Sequence, residues 1–144
     1  MPIATPETGD WCVSAAGLFL LRTLDASHTP EAPVADHLIP CCGHWMYALN
    51  DGADVDIGGC NTWIDWEVIH EGANVRLRTS EGEEEIVPLA EWRRTVLEFA
   101  DAVAAFYAAS APKQPSDETD AQGFAAFQAE WARRRGRGRP GRIV

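Results

Sequence analysis

The apolar positions of this chain fall into two regimes. Up to about residue 87 they cluster or alternate at the period of a strand, and beyond it they recur at helical spacing. Gly17 to Leu24 (GLFLLRTL) is almost wholly apolar, which predicts a strand buried on both faces. His28 to Asp36 holds Pro30 and Pro33 and reads as a loop. His44 to Leu49 is a short aromatic strand, and Asn50-Asp51-Gly52 a turn. Asp54-Val55-Asp56-Ile57 then alternates polar and apolar, as a half-buried strand does.

A hairpin follows in the pattern. Ile64, Trp66 and Val68 alternate with Asp65 and Glu67; after the turn Glu71-Gly72-Ala73-Asn74, Val75, Leu77 and Thr79 alternate with Arg76 and Arg78. Pairing these runs puts acids opposite arginines on the outer face, a gain of roughly 0.2–1 kcal/mol per cross-strand pair. Glu81-Gly82 turns the chain again, and Glu85 to Val87 adds a short strand.

Pro88 suits a helix start, where its missing N–H is not needed. Leu89, Trp92, Val96, Phe99, Val103 and Phe106 form the apolar stripe of a first helix. Pro112 ends it. Asp120 is a good N-cap for a second helix, buried through Phe124, Phe127 and Trp131, with Arg133 to Arg135 at its C-terminus. Gly136, Gly138, Pro140 and Gly141 then stop regular structure. The expected architecture is α+β: an antiparallel sheet of about five strands over residues 17–87, then two helices, roughly 88–110 and 120–135, packed on one sheet face. Residues 1–135 make one domain, and 136–144 a basic, flexible tail.

Charge alters this picture. Residues 1–132 carry all 22 acidic groups and six Lys/Arg, a balance of −16, whereas residues 133–144 carry six arginines. An acidic body repels nucleic acid and attracts basic surfaces, so nucleic-acid binding is expected only through the arginine tail. The first ten residues lack the basic and apolar regions of a signal peptide. The longest apolar run, Ala15 to Leu21, is too short to span a bilayer. A cytoplasmic protein is expected, its four cysteines present as thiols.

Candidate chemistry concentrates between His37 and His70, which hold three of the four cysteines and three of the four histidines. Cys41, His44 and Cys60, with Cys42 nearby, are ligand types that zinc accepts, but they lack the paired C-x₂-C spacing of strong zinc sites. Cys41 or Cys42 with His44 or His70 would give a thiolate–imidazolium nucleophile, again without a local signature. Acids such as Asp51, Asp54, Asp56, Asp65 and Glu67 could supply a glycosidase-like carboxylate pair, though the alternation places Asp54 and Asp56 toward solvent. NDGADVD is not an EF-hand loop, because the twelfth position from Asp51 is Thr62 and not glutamate.

What remains is a recognition surface. Asp51, Asp54, Asp56, Asp65 and Glu67 supply negative charge around the sheet, and Trp63 an aromatic anchor. The expected function is a small acidic binding protein, more a docking partner than an enzyme, that engages a basic protein. Immunity proteins that block basic toxin domains share this size and charge, an analogy of class and not of residues. The alternative is a metal- or thiol-dependent protein, with zinc as cofactor, centred on Cys41, Cys42, His44 and Cys60.

Overall fold

A computed structural model describes residues 12–42, 45–59 and 62–137. The chain begins with helix α1 (Val13–Arg22), not with a strand. Every residue from Ala15 to Leu21 is buried. A helix apolar all round has no amphipathic stripe, so periodicity alone cannot separate it from a strand buried on both faces. Ala15 and Ala16, and leucines in place of β-branched residues, are what favour the helix.

The strands are short. β1 (Ile39–Pro40), β2 (Trp45–Leu49), β3 (Asp54–Gly58), β4 (Trp63–Ile64), β5 (Glu67–Glu71), β6 (Asn74–Arg78) and β7 (Glu84–Pro88) are followed by α2 (Leu89–Ala108) and α3 (Glu118–Arg137). The single sheet expected from the sequence is instead three small antiparallel ones: β1 with β4, β2 with β3, and the meander β5-β6-β7. The expected turn joins β2 to β3, with Asn50, Asp51 and Gly52 all at positive φ. Asparagine, aspartate and glycine are the residues that accept that conformation most readily.

The predicted charge pairing is present in the meander. Glu67 lies opposite Arg78, and its carboxylate accepts hydrogen bonds of 2.6 and 3.1 Å from the guanidinium. Arg76 bridges Glu71 and Glu84. Asp65 does not join this face, because it lies between β4 and β5.

Nor do the helices share one sheet face. α2 packs on β6, β7 and α1, while α3 packs on β2, β3 and α1. Buried α1 thus stands between the two later helices, and its Leu18 and Leu21 are fully enclosed. Trp92 of α2 donates from its indole N–H to the Thr23 hydroxyl, 3.0 Å away, just beyond the end of α1. The α2 stripe is buried at Trp92, Val96, Ala100 and Val103, but Phe106 is 62% exposed. The last turns of α2 outrun the core.

α3 begins earlier than predicted. Asp117, not Asp120, is the cap, accepting the Asp120 N–H at 2.8 Å. The Asp120 carboxylate reaches back to the Ser116 N–H at 3.0 Å, a reciprocal arrangement of the capping-box kind. The helix also continues through Gly136, which is buried. Within it, Gly123 lies against β2 so closely that a Cβ would collide with the Met46 carbonyl oxygen. Trp131 lies over Gly17 of α1, where a Cβ would fall 2.6 Å from the indole ring. The described helices include none long and apolar enough to cross a membrane.

Candidate functional site

The six acids and aromatics expected to form one surface fall on two pieces of structure. Asp51, Asp54 and Asp56 belong to the β2–β3 hairpin, while Trp63, Asp65 and Glu67 line a cleft beside β4 and β5.

On the hairpin, β3 alternates as predicted, with Val55 and Ile57 buried and Asp56 exposed. The register sets Trp45 opposite Gly58, Tyr47 opposite Asp56 and Leu49 opposite Asp54. Side chains directly opposite in an antiparallel pair share a face. Trp45, Tyr47 and Leu49 therefore form a row on the outer face, 56%, 47% and 47% exposed. Gly58 leaves room for the Trp45 ring, which comes within 3.3 Å of where its Cβ would be. Asp51 and Asp56 make no ion pair among the described residues, whereas Asp54 is held by the Asn50 amide and by Arg133. These contacts, the Asn50 hydrogen bond foremost, lower the Asp54 pKa against a smaller opposing effect of burial. The row was hard to read from WMYAL because every position is apolar; only the acids of the partner strand mark which side faces out.

The cleft has a volume of about 1070 Å³. At its back stands a chain of fixed hydrogen bonds. His28 bridges β5 through its backbone, its N–H to the Val68 carbonyl and its carbonyl to the Val68 N–H. Its Nδ1 accepts the Val34 N–H at 3.1 Å, so the ring proton sits on Nε2 and is donated to Asp65 Oδ1 at 2.9 Å. The same carboxylate oxygen accepts the Leu38 N–H at 3.0 Å. Asp65 Oδ2 lies 4.0 Å from His37 Nδ1, too far for a hydrogen bond. That Nδ1 is buried without a partner among the described residues. The His37 ring stacks on Trp63, with centroids 3.8 Å apart and planes 3° from parallel.

Glu67 and Arg78 close one wall of the cleft, and the Arg78 hydrogen bond is the main cause of the lowered Glu67 pKa. His28, which the sequence places only at the start of a loop, thus organises Asp65. Only its neighbour Pro30 and the loop composition were legible there.

Of the cysteine cluster, Cys41 and Cys42 are described; Cys41 is disulfide-bonded, while Cys12, away from the cluster, is a free thiol. Cys41 in this form offers no thiolate to a metal or substrate. The Cys42 sulfur lies 3.7 Å from that of Cys41. His44 and Cys60 lie outside the described residues. His70 is committed elsewhere, its Nε2 donating to the Thr23 carbonyl at 2.7 Å. Among the described residues no three His, Cys, Asp or Glu side chains converge as a metal site would require.

Arg133 to Arg135 lie in the last turns of α3, at the helix C-terminus as expected. Arg133 binds Asp54 and the Ala53 carbonyl, Arg134 binds Glu130 and Asp25, and Arg135 grips Asp101 with two hydrogen bonds. Half of the arginines assigned to a phosphate-binding tail are therefore spent on the protein's own carboxylates. Comparison of the chain with family models, with curated proteins and with solved structures finds no match.

Proposed function

We propose that this chain is a non-enzymatic binding protein that docks a basic protein partner on the outer face of the β2–β3 hairpin, in the manner of a small acidic inhibitor. The observation that carries the reading is the row Trp45, Tyr47 and Leu49, exposed together beside Asp51 and Asp56, which make no ion pair among the described residues. Large side chains rarely stand in such a row on a monomer surface without a partner, and aromatic residues dominate interface energetics. The acids supply what an apolar row lacks, a field that steers a basic surface toward it. A net charge of −10, with Arg133 to Arg135 already spent internally, leaves that field uncancelled.

The test is capture of proteins from the host's own lysate on the immobilised full chain, followed by identification of what is retained. A basic partner is expected. Tyr47→Ala should lower its affinity about tenfold or more, the loss typical of a central aromatic. The Asp51→Asn/Asp56→Asn double variant should mainly slow association and flatten its salt dependence. Retention that is equal for both variants, or restricted to acidic proteins, rules the reading out. Circular dichroism of each variant establishes that it is folded.

A further inference from the structure

We propose that the cleft lined by His37, Trp63, Asp65 and Glu81 receives a single cationic side chain, lysine or arginine. The inference rests on the basic-partner reading and names a second point of contact for that partner. The cleft is concave and large enough for one long side chain. Its aromatic element is prepared for a cation. Trp63 is 46% exposed, and its indole is held in place by the parallel His37 ring. A fixed, accessible indole is the best of the protein π-faces for an ammonium or guanidinium group.

The polar lining asks for the same ligand. Arg78 is the cleft's one arginine or lysine among the described residues, and it is neutralised by Glu67 and Glu84. The groups with unused capacity are acceptors. Among the described residues, Asp65 Oδ2 has no hydrogen bond, Asp36 has no partner, and Glu81 meets only the Ser80 hydroxyl at 3.3 Å. A donor with several N–H bonds is the chemistry that carboxylates such as Asp65 and Glu81 can accept together. Asp65 is kept ready by His28 and the Leu38 N–H, so no reorganisation is needed at that end.

The experiment titrates the full chain with N-acetyl-arginine amide and N-acetyl-lysine amide, following the Trp63 indole and His37 ring resonances by NMR. Saturable shifts at both residues are expected for at least one of the two. N-acetyl-norleucine amide, equal in reach but uncharged, should give none. Trp63→Leu should weaken binding about 2- to 30-fold, the range for a cation over indole. Glu81→Gln, a substitution on an exposed turn, should weaken it without threatening the fold. Absence of shifts at high probe concentration overturns the proposal, as does equal binding of the norleucine probe. Tighter binding of spermidine than of either amide would assign the cleft to free polyamines and overturn a protein side chain as occupant. The titration needs no protein partner, so its failure removes the cleft contact and leaves hairpin docking to its own variants.

Discussion

Glu130 has no exposed surface, yet it is charged and accepts four hydrogen bonds: two from Arg22, one from the Val55 N–H and one from Arg134. Burial alone would raise its pKa, but these donors outweigh that effect and lower it. Arg22 completes the network by donating to the Val34 and Val55 carbonyls. The Glu130→Gln variant keeps the shape but leaves Arg22 without its counter-charge and Arg134 with Asp25 alone. Breaking one side of a buried ionic network costs on the order of 3–5 kcal/mol, a large share of a typical domain's 5–15 kcal/mol or so. Urea unfolding should show the midpoint falling sharply with an unchanged slope; a shift under about 1 kcal/mol would mean the network contributes little. No local pattern marks this residue. Its main partner is 108 positions away, and in the sequence Glu130 reads as one more polar residue on the second helix. The Glu67–Arg78 pair, by contrast, was legible because strand alternation and a recognisable turn fix which residues stand opposite.

At the level of elements, the two C-terminal helices were readable from their stripes, and the β5–β6 hairpin from its alternation. The first element was not, because uniform burial erases periodicity. The division into three sheets was also hidden, since pairings such as Ile39 with Ile64 join segments that only the tertiary fold brings together. Gly123 shows how a helix can depend on a residue that propensity disfavours. Exchange for alanine in an exposed helix would gain roughly 0.5–1 kcal/mol. Here the added methyl meets a backbone carbonyl of β2 that cannot rotate away. Gly123→Ala is therefore expected to destabilise by about 1–3 kcal/mol, as overpacking does. Thermal melting of this single variant decides the sign, and a raised Tm would mean that α3 does not lie on β2 as described.

Across the whole molecule, the lowered carboxylates share one direction. Asp54, Glu67, Glu71, Asp120 and Glu130 all lie below their ordinary values of 3.8 for Asp and 4.5 for Glu, chiefly through hydrogen bonds and neighbouring cations. A group whose folded pKa is depressed contributes its full stabilisation above the unfolded value and loses it as the pH falls through the folded one. Stability should thus be maximal above about pH 5 and decline steadily below about pH 4.5. A Tm series from neutral to acid pH checks this, and a Tm that rises on acidification would contradict it. The pairs with exposed members contribute little each and should weaken with salt, whereas the Glu130 network should persist. Overall acidity was legible in the sequence. The neutralisation of part of it by Arg22 and by Arg133 to Arg135 was not, because it depends on which residues meet across the fold.

The position of α1 has a consequence for biosynthesis. The most apolar helix emerges from the ribosome before the other described elements, but one of the two helices that enclose it, α3, is made after all of them. Until Trp131 reaches Gly17 and Glu130 reaches Arg22, the nascent chain holds an arginine without its buried counter-charge and leucines only partly covered. Completion of the core therefore waits for the last described helix, and a ribosome stalled before residue 118 would present chaperones with an open hydrophobic helix.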